Sequence, residues 1–320
     1  MRHYKRLSID DREKVRVFLE KGMKPAAIAR ELGRETSTIS REIKRNSDES
    51  GNYIAHNAQK KYAERKRKCG AKKKLENEIV WKYVVEGLEN RWSPEQIAGR
   101  AKQLGLFFTV SCKTIYRALY SGLLPLVLKK KLRRKGRKRR SRNVVEKRGR
   151  IPDAVNIRAR PKSADNRSWF GHWESDSVLG KHQTGCIGTH VERKSGFLIA
   201  FRLSDRQNEA FIKATIEAFR DVSDGLKRSF TVDNGKEFSG HKVLSEKTGM
   251  SVYFCDSNSP WQRGTNENTN GLLRQFFPKR SSFVGISAEE LQRVVDLLNN
   301  RPRKRFNFMT PFEILRRKWQ

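Results

Sequence analysis

The 320-residue chain carries 70 Lys+Arg against 35 Asp+Glu, a formal net charge of +35, and only four cysteines. The length suits about two domains, and the charge favours a polyanionic partner, because neutralising phosphates releases condensed counterions. The chain has no apolar run long enough to span a membrane, and Cys69, Cys112, Cys186 and Cys255 lack the paired spacing of a disulfide framework or a structural zinc.

In chain order, the opening "MRHYKRL" has no apolar export core, so a reducing, cytoplasmic setting is expected. Ser8 and Asp11 read as the cap of a helix with Val15, Phe18 and Leu19 inward. A second helix starts at Pro25 and ends by Gly33, and a third starts at Thr36 with Ile39 and Ile43 on one face. The spacing of Ala29, Gly33 and Ile39 gives a close helix crossing, a tight turn and an anchored next helix, the pattern of a helix-turn-helix. Thr36, Ser37, Thr38, Ser40, Arg41, Lys44 and Arg45 then form the outward face of a recognition helix. Short hydroxyls there suit base edges, and the later cations suit the backbone.

Residues 51–128 are expected to hold a basic helical spacer and a looser second helix-turn-helix-like unit, "RWSPEQIAGRAKQ" followed by "SCKTIYRALYSG", with Lys113 and Arg117 as DNA contacts. Residues 129–150 carry 14 Lys+Arg against one acid and cannot bury a core. They are expected to act as a linker, running to residue 160, that orders on phosphate.

From residue 161 the periodicity changes to two. "FGHWESDSVLG" alternates, placing His172, Glu174 and Asp176 on one face, and "CIGTHVERKSGFLIAFRLSD" reads as a hairpin turning at Lys194 to Gly196. An amphipathic helix, "QNEAFIKATIEAFRDV", precedes a short strand that ends at Asp233 within "TVDNGKEF". Asn-Gly after Asp233 is a turn signal, so this aspartate either caps the strand end or binds a ligand there. His182, Cys186 and His190 recur every four residues, but on turn and strand rather than on a helix, which disfavours zinc.

Three antiparallel strands, a helix and a further strand follow the order of ribonuclease H-like folds. That fold sets one carboxylate midway along its first strand and another at the end of its fourth, the places of Asp176 and Asp233. A later helix in "SNSPWQRGTNENTNGLLRQFFP" supplies Glu267, 34 positions after Asp233, on a polar face with Arg263, Asn266 and Asn270. Three converging carboxylates repel one another unless cations offset them, and a two-Mg²⁺ site serves an in-line displacement at phosphorus.

The stretches "GHWESD", "TVDNGKEF" and "SPWQRGTNENTNGLLRQFFPKR", with "STISREIKRN" near the start, resemble the IS30 family of bacterial insertion-sequence transposases, whose Asp-Asp-Glu core is related to retroviral integrases. The resemblance implies an all-α helix-turn-helix region (1–50) before an α/β, ribonuclease H-like catalytic domain (161–320). It further implies a transposase that binds the inverted-repeat ends of a mobile element, cleaves DNA and transfers strands into a target. Catalytic and metal-binding acids carry over to Asp176, Asp233 and Glu267, with two Mg²⁺ ions, replaceable by Mn²⁺. Ser175 departs from the Gly expected before the catalytic aspartate. Asn234, Asn266 and Asn270 are expected to support the acids, and Arg263 to contact phosphate. Arg301, Arg303, Lys304 and Arg305 form a basic loop suited to flanking or target DNA. Double-stranded DNA is the expected partner, in a homo-oligomer of at least two chains and on the bacterial nucleoid. The alternative is a catalytically inactive DNA-binding regulator of the same fold.

Overall fold

In the computed structural model, which describes residues 6–68, 74–133, 151–203, 207–257 and 259–318, the chain divides into two units, Met1–Lys73 and Lys74–Gln320. Most of the basic linker, residues 134–150, lies outside the described residues.

The first unit is helical. Helix α1 (Ile9–Glu20) opens on a capping box in which Ser8 and Asp11 satisfy each other's backbone N–H. Helix α2 (Pro25–Glu31) has proline in its first turn, and Gly33 takes the left-handed conformation needed to turn the chain into α3 (Thr36–Asn46). Helix α4 (Ala55–Lys68) closes a core of Val15, Ile28, Ala29, Ile39, Ala55 and Ala58. A buried ion pair ties α1 to α3: Arg12 Nε donates to Glu42 Oε1 at 2.7 Å, and Tyr53 donates to the same carboxylate.

The second unit begins with α5 (Glu78–Glu89), α6 (Pro94–Gln103), α7 (Cys112–Ser121) and α8 (Leu126–Lys131), packed around Val84, Leu88, Ile97, Ile115 and Leu119. The connection between α6 and α7 spans residues 104–111, too long for a tight helix-turn-helix. Through Gln96 and Arg100, α6 reaches the end of the chain. Gln96 Nε2 donates to the Pro302 carbonyl, and Arg100 forms a two-pronged pair with Glu313. The contact division therefore groups these four helices with the sheet that follows.

After the short α9 (Lys162–Asp165) comes a five-stranded sheet of β1 (His172–Leu179), β2 (Cys186–Glu192), β3 (Leu198–Leu203), β4 (Ser229–Val232) and β5 (Ser251–Phe254). Its order is β3-β2-β1-β4-β5, antiparallel from β1 to β3 and parallel from β1 to β5. This is the ribonuclease H-like arrangement. One face carries α10 (Asn208–Ala218) and α11 (His241–Thr248) over Trp173, Phe211, Phe219, Phe230 and Phe254. The other carries α12 (Gly264–Leu273) and α13 (Ala288–Asn299) over Val178, Ile187, Val191, Leu273 and Val295. Helix α14 (Pro311–Arg316) ends the described chain.

Candidate active site

Strand pairing brings the first two acids together. β1 pairs with β4 in parallel as His172 with Ser229, Trp173 with Phe230 and Glu174 with Thr231. Two residues beyond the last pair on each side stand Asp176 and Asp233, on neighbouring strands about 4.8 Å apart. Both carboxylates take the same cation. Arg263, on the turn before α12, lies 3.2 Å from Asp176 Oδ1 and 3.0 Å from Asp233 Oδ2, and also donates to the Ser175 carbonyl. The other oxygen of Asp233 accepts from the Gly235 N–H at 3.0 Å, so this residue caps its own turn as well as facing Asp176.

The electrostatics follow from that packing. Burial raises the Asp176 carboxyl above its ordinary value; the Arg263 charge opposes this, and Asp233 adds to it. Burial by itself would lower the Arg263 guanidinium, but the two carboxylates outweigh it and shift it upward.

Around Asp176 the support is polar and local. Asn270 Nδ2 donates to Asp176 Oδ2 at 3.0 Å, while Thr189, its cross-strand partner on β2, donates to the Asp176 carbonyl and to Asn270 Oδ1. Asn266, which helical periodicity sets on the polar face of α12, is fully buried and donates to the carbonyls of Glu174 and Thr189. Asn234, next to Asp233, donates to the Cys255 carbonyl, fixing the loop against the end of β5.

Glu267 is not in this cluster. It sits exposed on α12, and among the described residues no three His, Cys, Asp or Glu side chains stand close enough together to hold a metal. At 3.6 residues per turn, Glu267 is offset from Asn270 by about 60° around the helix. It borders the stripe that faces Asp176.

Two neighbours carry roles that strand alternation did not reveal. Glu174 shares a face with Asp176, but it is fully buried, pairs with Arg193 and accepts from the Asn266 N–H in the first turn of α12. Ser175 points to the opposite face, where its Oγ lies 2.7 Å from His190 Nδ1. His190 also meets Thr215 and the rings of Phe201, Phe211, Phe219 and Phe230. On that face, too, the buried Glu237 accepts from Ser177 at 2.8 Å, which anchors the loop after Asp233 to β1.

In the first unit Thr36, Ser37, Ser40, Arg41, Lys44 and Arg45 are exposed along α3, and Thr38 is half-buried. Lys113 and Arg117 are exposed on α7.

A ribonuclease H-like sheet in one chain with a helix-turn-helix is the architecture of a DNA-binding enzyme of the polynucleotidyl transferase class, and the relatives agree. A helix-turn-helix domain model matches residues 3–46. The transposase of insertion sequence IS1086 from Cupriavidus metallidurans is 36% identical over 98% of this chain and 94% of its own. The InsI transposase of IS30C from Escherichia coli K12 is 39% identical, with 97% and 83% covered, and that of IS4351 from Bacteroides fragilis is 37% identical, with 97% and 95% covered. The chain belongs to the IS30 family of insertion-sequence transposases. Among solved structures, the catalytic core domain of BIV integrase aligns with 47% of this chain and 99% of its own at a TM-score of 0.37 and 19% identity.

Proposed function

We propose that this transposase cuts DNA at the inverted-repeat ends of its element and joins them to target DNA, with Asp176, Asp233 and Glu267 as its catalytic acids. One observation carries the reading: carboxylates from the middle of β1 and the end of β4 close on a single positive group, the Arg263 guanidinium. A pair of oxygens that accommodates a guanidinium also fits a hard divalent cation, which prefers oxygen ligands. The residues that would hold two Mg²⁺ ions, or Mn²⁺ in their place, are these two aspartates with Glu267 as the third donor. Bound there, the ions supply activation of the attacking oxygen and charge stabilisation at the leaving oxygen.

The protein's own groups do the positioning. Asn270 fixes one oxygen of Asp176 and the Gly235 N–H fixes one of Asp233, leaving the remaining oxygens turned toward Arg263. Arg263 offsets one of the pair's two negative charges in free protein and is a cation within reach of an incoming phosphodiester. The buried contact of Glu174 with the Asn266 N–H ties the first turn of α12, the helix that carries Glu267, to β1. Recognition of the ends falls to the outward residues of α3, with hydroxyls toward bases and Arg41, Lys44 and Arg45 toward phosphates. Lys113 and Arg117 supply further backbone contacts. Joining two ends in one event calls for an assembly of at least two chains, working on the bacterial nucleoid.

The test is cleavage and strand transfer by the full chain with Mg²⁺ on duplexes carrying the element ends, wild type beside Asp233→Asn and Glu267→Gln. Wild type is expected to nick and join, and both variants to bind without reacting. Full activity in Glu267→Gln removes that residue from the mechanism. Binding without reaction by wild type favours the regulator.

A further inference from the structure

On the side of α12 turned away from the aspartates lies a cavity of about 440 Å³ that no step of the proposed reaction uses. Thr265, Asn268, Thr269 and Leu272, spaced three and four residues apart, form its α12 wall. Among the described residues six cations line it, Arg133, Arg167, Arg301, Arg303, Lys304 and Arg305, and no acid does. Sequence alone reads residues 301–305 as a surface loop, but Arg301 is only 3% exposed, held by Gln96 Oε1 at 3.0 Å and Gln275 Oε1 at 2.8 Å.

Acids beyond the lining offset part of this charge, Glu192 and Glu174 acting on Arg305. Lys304 pairs with Glu95 at the rim. Among the described residues, Arg167, Arg301 and Arg303 donate only to neutral acceptors, the Thr265 hydroxyl, the two glutamine oxygens and the Leu298 carbonyl. Arg305 stacks on the Phe306 ring. Burial, with the neighbouring charges of Arg303, Arg133 and Arg91, pushes Arg301 down to about 9. Burying like charges together is costly unless an anion offsets them, and guanidinium forks match phosphate geometry.

We propose that this cavity is a binding site for a DNA backbone phosphodiester remote from the bond that is cut, with Arg305, Arg167 and Arg303 as its principal contacts. Because it opens on the face of α12 opposite the acids, it holds the strand against that helix from a second side. The site rests on the reading of this unit as DNA-processing. Its ligand is either a phosphate of the element end or one of the target duplex.

The experiment measures DNA binding by the full chain while single phosphates are replaced by neutral methylphosphonates, in the element-end duplex in one arm and in a target duplex in the other. Wild type is compared with Arg305→Gln, which removes no hydrogen bond from the fold, and with Arg305→Lys. At one or two positions in one arm, the neutral linkage is expected to weaken wild type and Arg305→Lys several-fold and to leave Arg305→Gln unchanged. Arg305→Gln should also lower the salt slope of binding by about one phosphate's worth. The arm that responds identifies the source. If Arg305→Gln keeps the wild-type slope and responds to every methylphosphonate as wild type does, the site is overturned, whatever becomes of cleavage. Loss of cleavage in Asp233→Asn with this pattern intact would leave the cavity assignment standing.

Discussion

Glu174 Oε2 accepts a hydrogen bond from the Asn266 N–H at 2.8 Å, so a fully buried carboxylate on β1 anchors the first turn of α12. Its other oxygen is committed to Arg193. Glu174→Gln leaves the buried guanidinium without its counter-charge, and breaking such a pair costs about 3–5 kcal/mol. Denaturant unfolding of the full chain should report that loss, with faster amide exchange in the first turn of α12. A stability within about 0.5 kcal/mol of wild type would mean that the pair does not hold the helix.

Asn270 is a cleaner probe of the acids because its side chain reaches Asp176 from a half-buried position. Asn270→Ala removes the donor that orients one carboxylate oxygen, and losses of support of this kind cost about 10- to 100-fold in activity or metal affinity. Cleavage in Mg²⁺ should fall by that factor while the unfolding midpoint hardly moves. Unchanged cleavage would mean that Asp176 needs no fixed rotamer.

A divalent cation bound as proposed would compete with Arg263 for the same two oxygens. In EDTA, Arg263→Gln should melt below wild type, because Asp176 and Asp233 then face each other without neutralisation. Adding Mg²⁺ should raise the variant's melting temperature more than the wild type's, since a ligand at about 100 times its Kd stabilises by about 2.7 kcal/mol. If Mg²⁺ moves neither protein, the aspartates are not its ligands.

Acid should weaken the sheet through its buried imidazoles. Burial pushes His190 down to about 3, and burial with nearby arginines pushes His172 down to about 4, against about 6.5 in the unfolded chain. The unfolded state therefore binds more protons in that window. The stability these groups contribute is complete above about pH 6.5 and is lost as pH falls toward 4 and 3. Asp176 and Glu192, which burial raises, work in the opposite direction. In EDTA, the gap in melting temperature between wild type and His190→Asn should be widest near neutrality and narrow on acidification. Parallel curves from pH 7 to 4 would show that His190 titrates as it does in the unfolded chain.

Local signals carried much of this. Alternation along "HWESDSVL" fixes which face Asp176 occupies, and the short strand before Asn-Gly marks the end at which Asp233 sits. A capping box delimits α1, a proline opens α2, and helical periodicity marks α3 and α12. What pattern alone does not convey is partnership across the sheet. Thr189 meets Asp176 only through the β1–β2 register, and Arg193 meets Glu174 from 19 positions away. Periodicity also assigns Asn266 to the polar side of its helix, whereas the Glu174 and Thr189 carbonyls draw it inward. Ser175 looks like a departure from the family pattern until its partner His190 is seen across the strands, where the hydroxyl satisfies a buried ring nitrogen.

The constant offset of 57 between paired residues of β1 and β4 bears on how such chains diverge. What keeps Asp176 beside Asp233 is a ladder of backbone bonds, and no ruler of intervening residues enters it. Relatives can lengthen or shorten the excursion through β2, β3 and α10 and leave the pair untouched, provided the change stays in the turns. A one-residue slip inside β1 would instead send Asp176 to the opposite face, into the aromatic core. Alignments of distant relatives should therefore be anchored on the two strands, with gaps admitted between them and forbidden within.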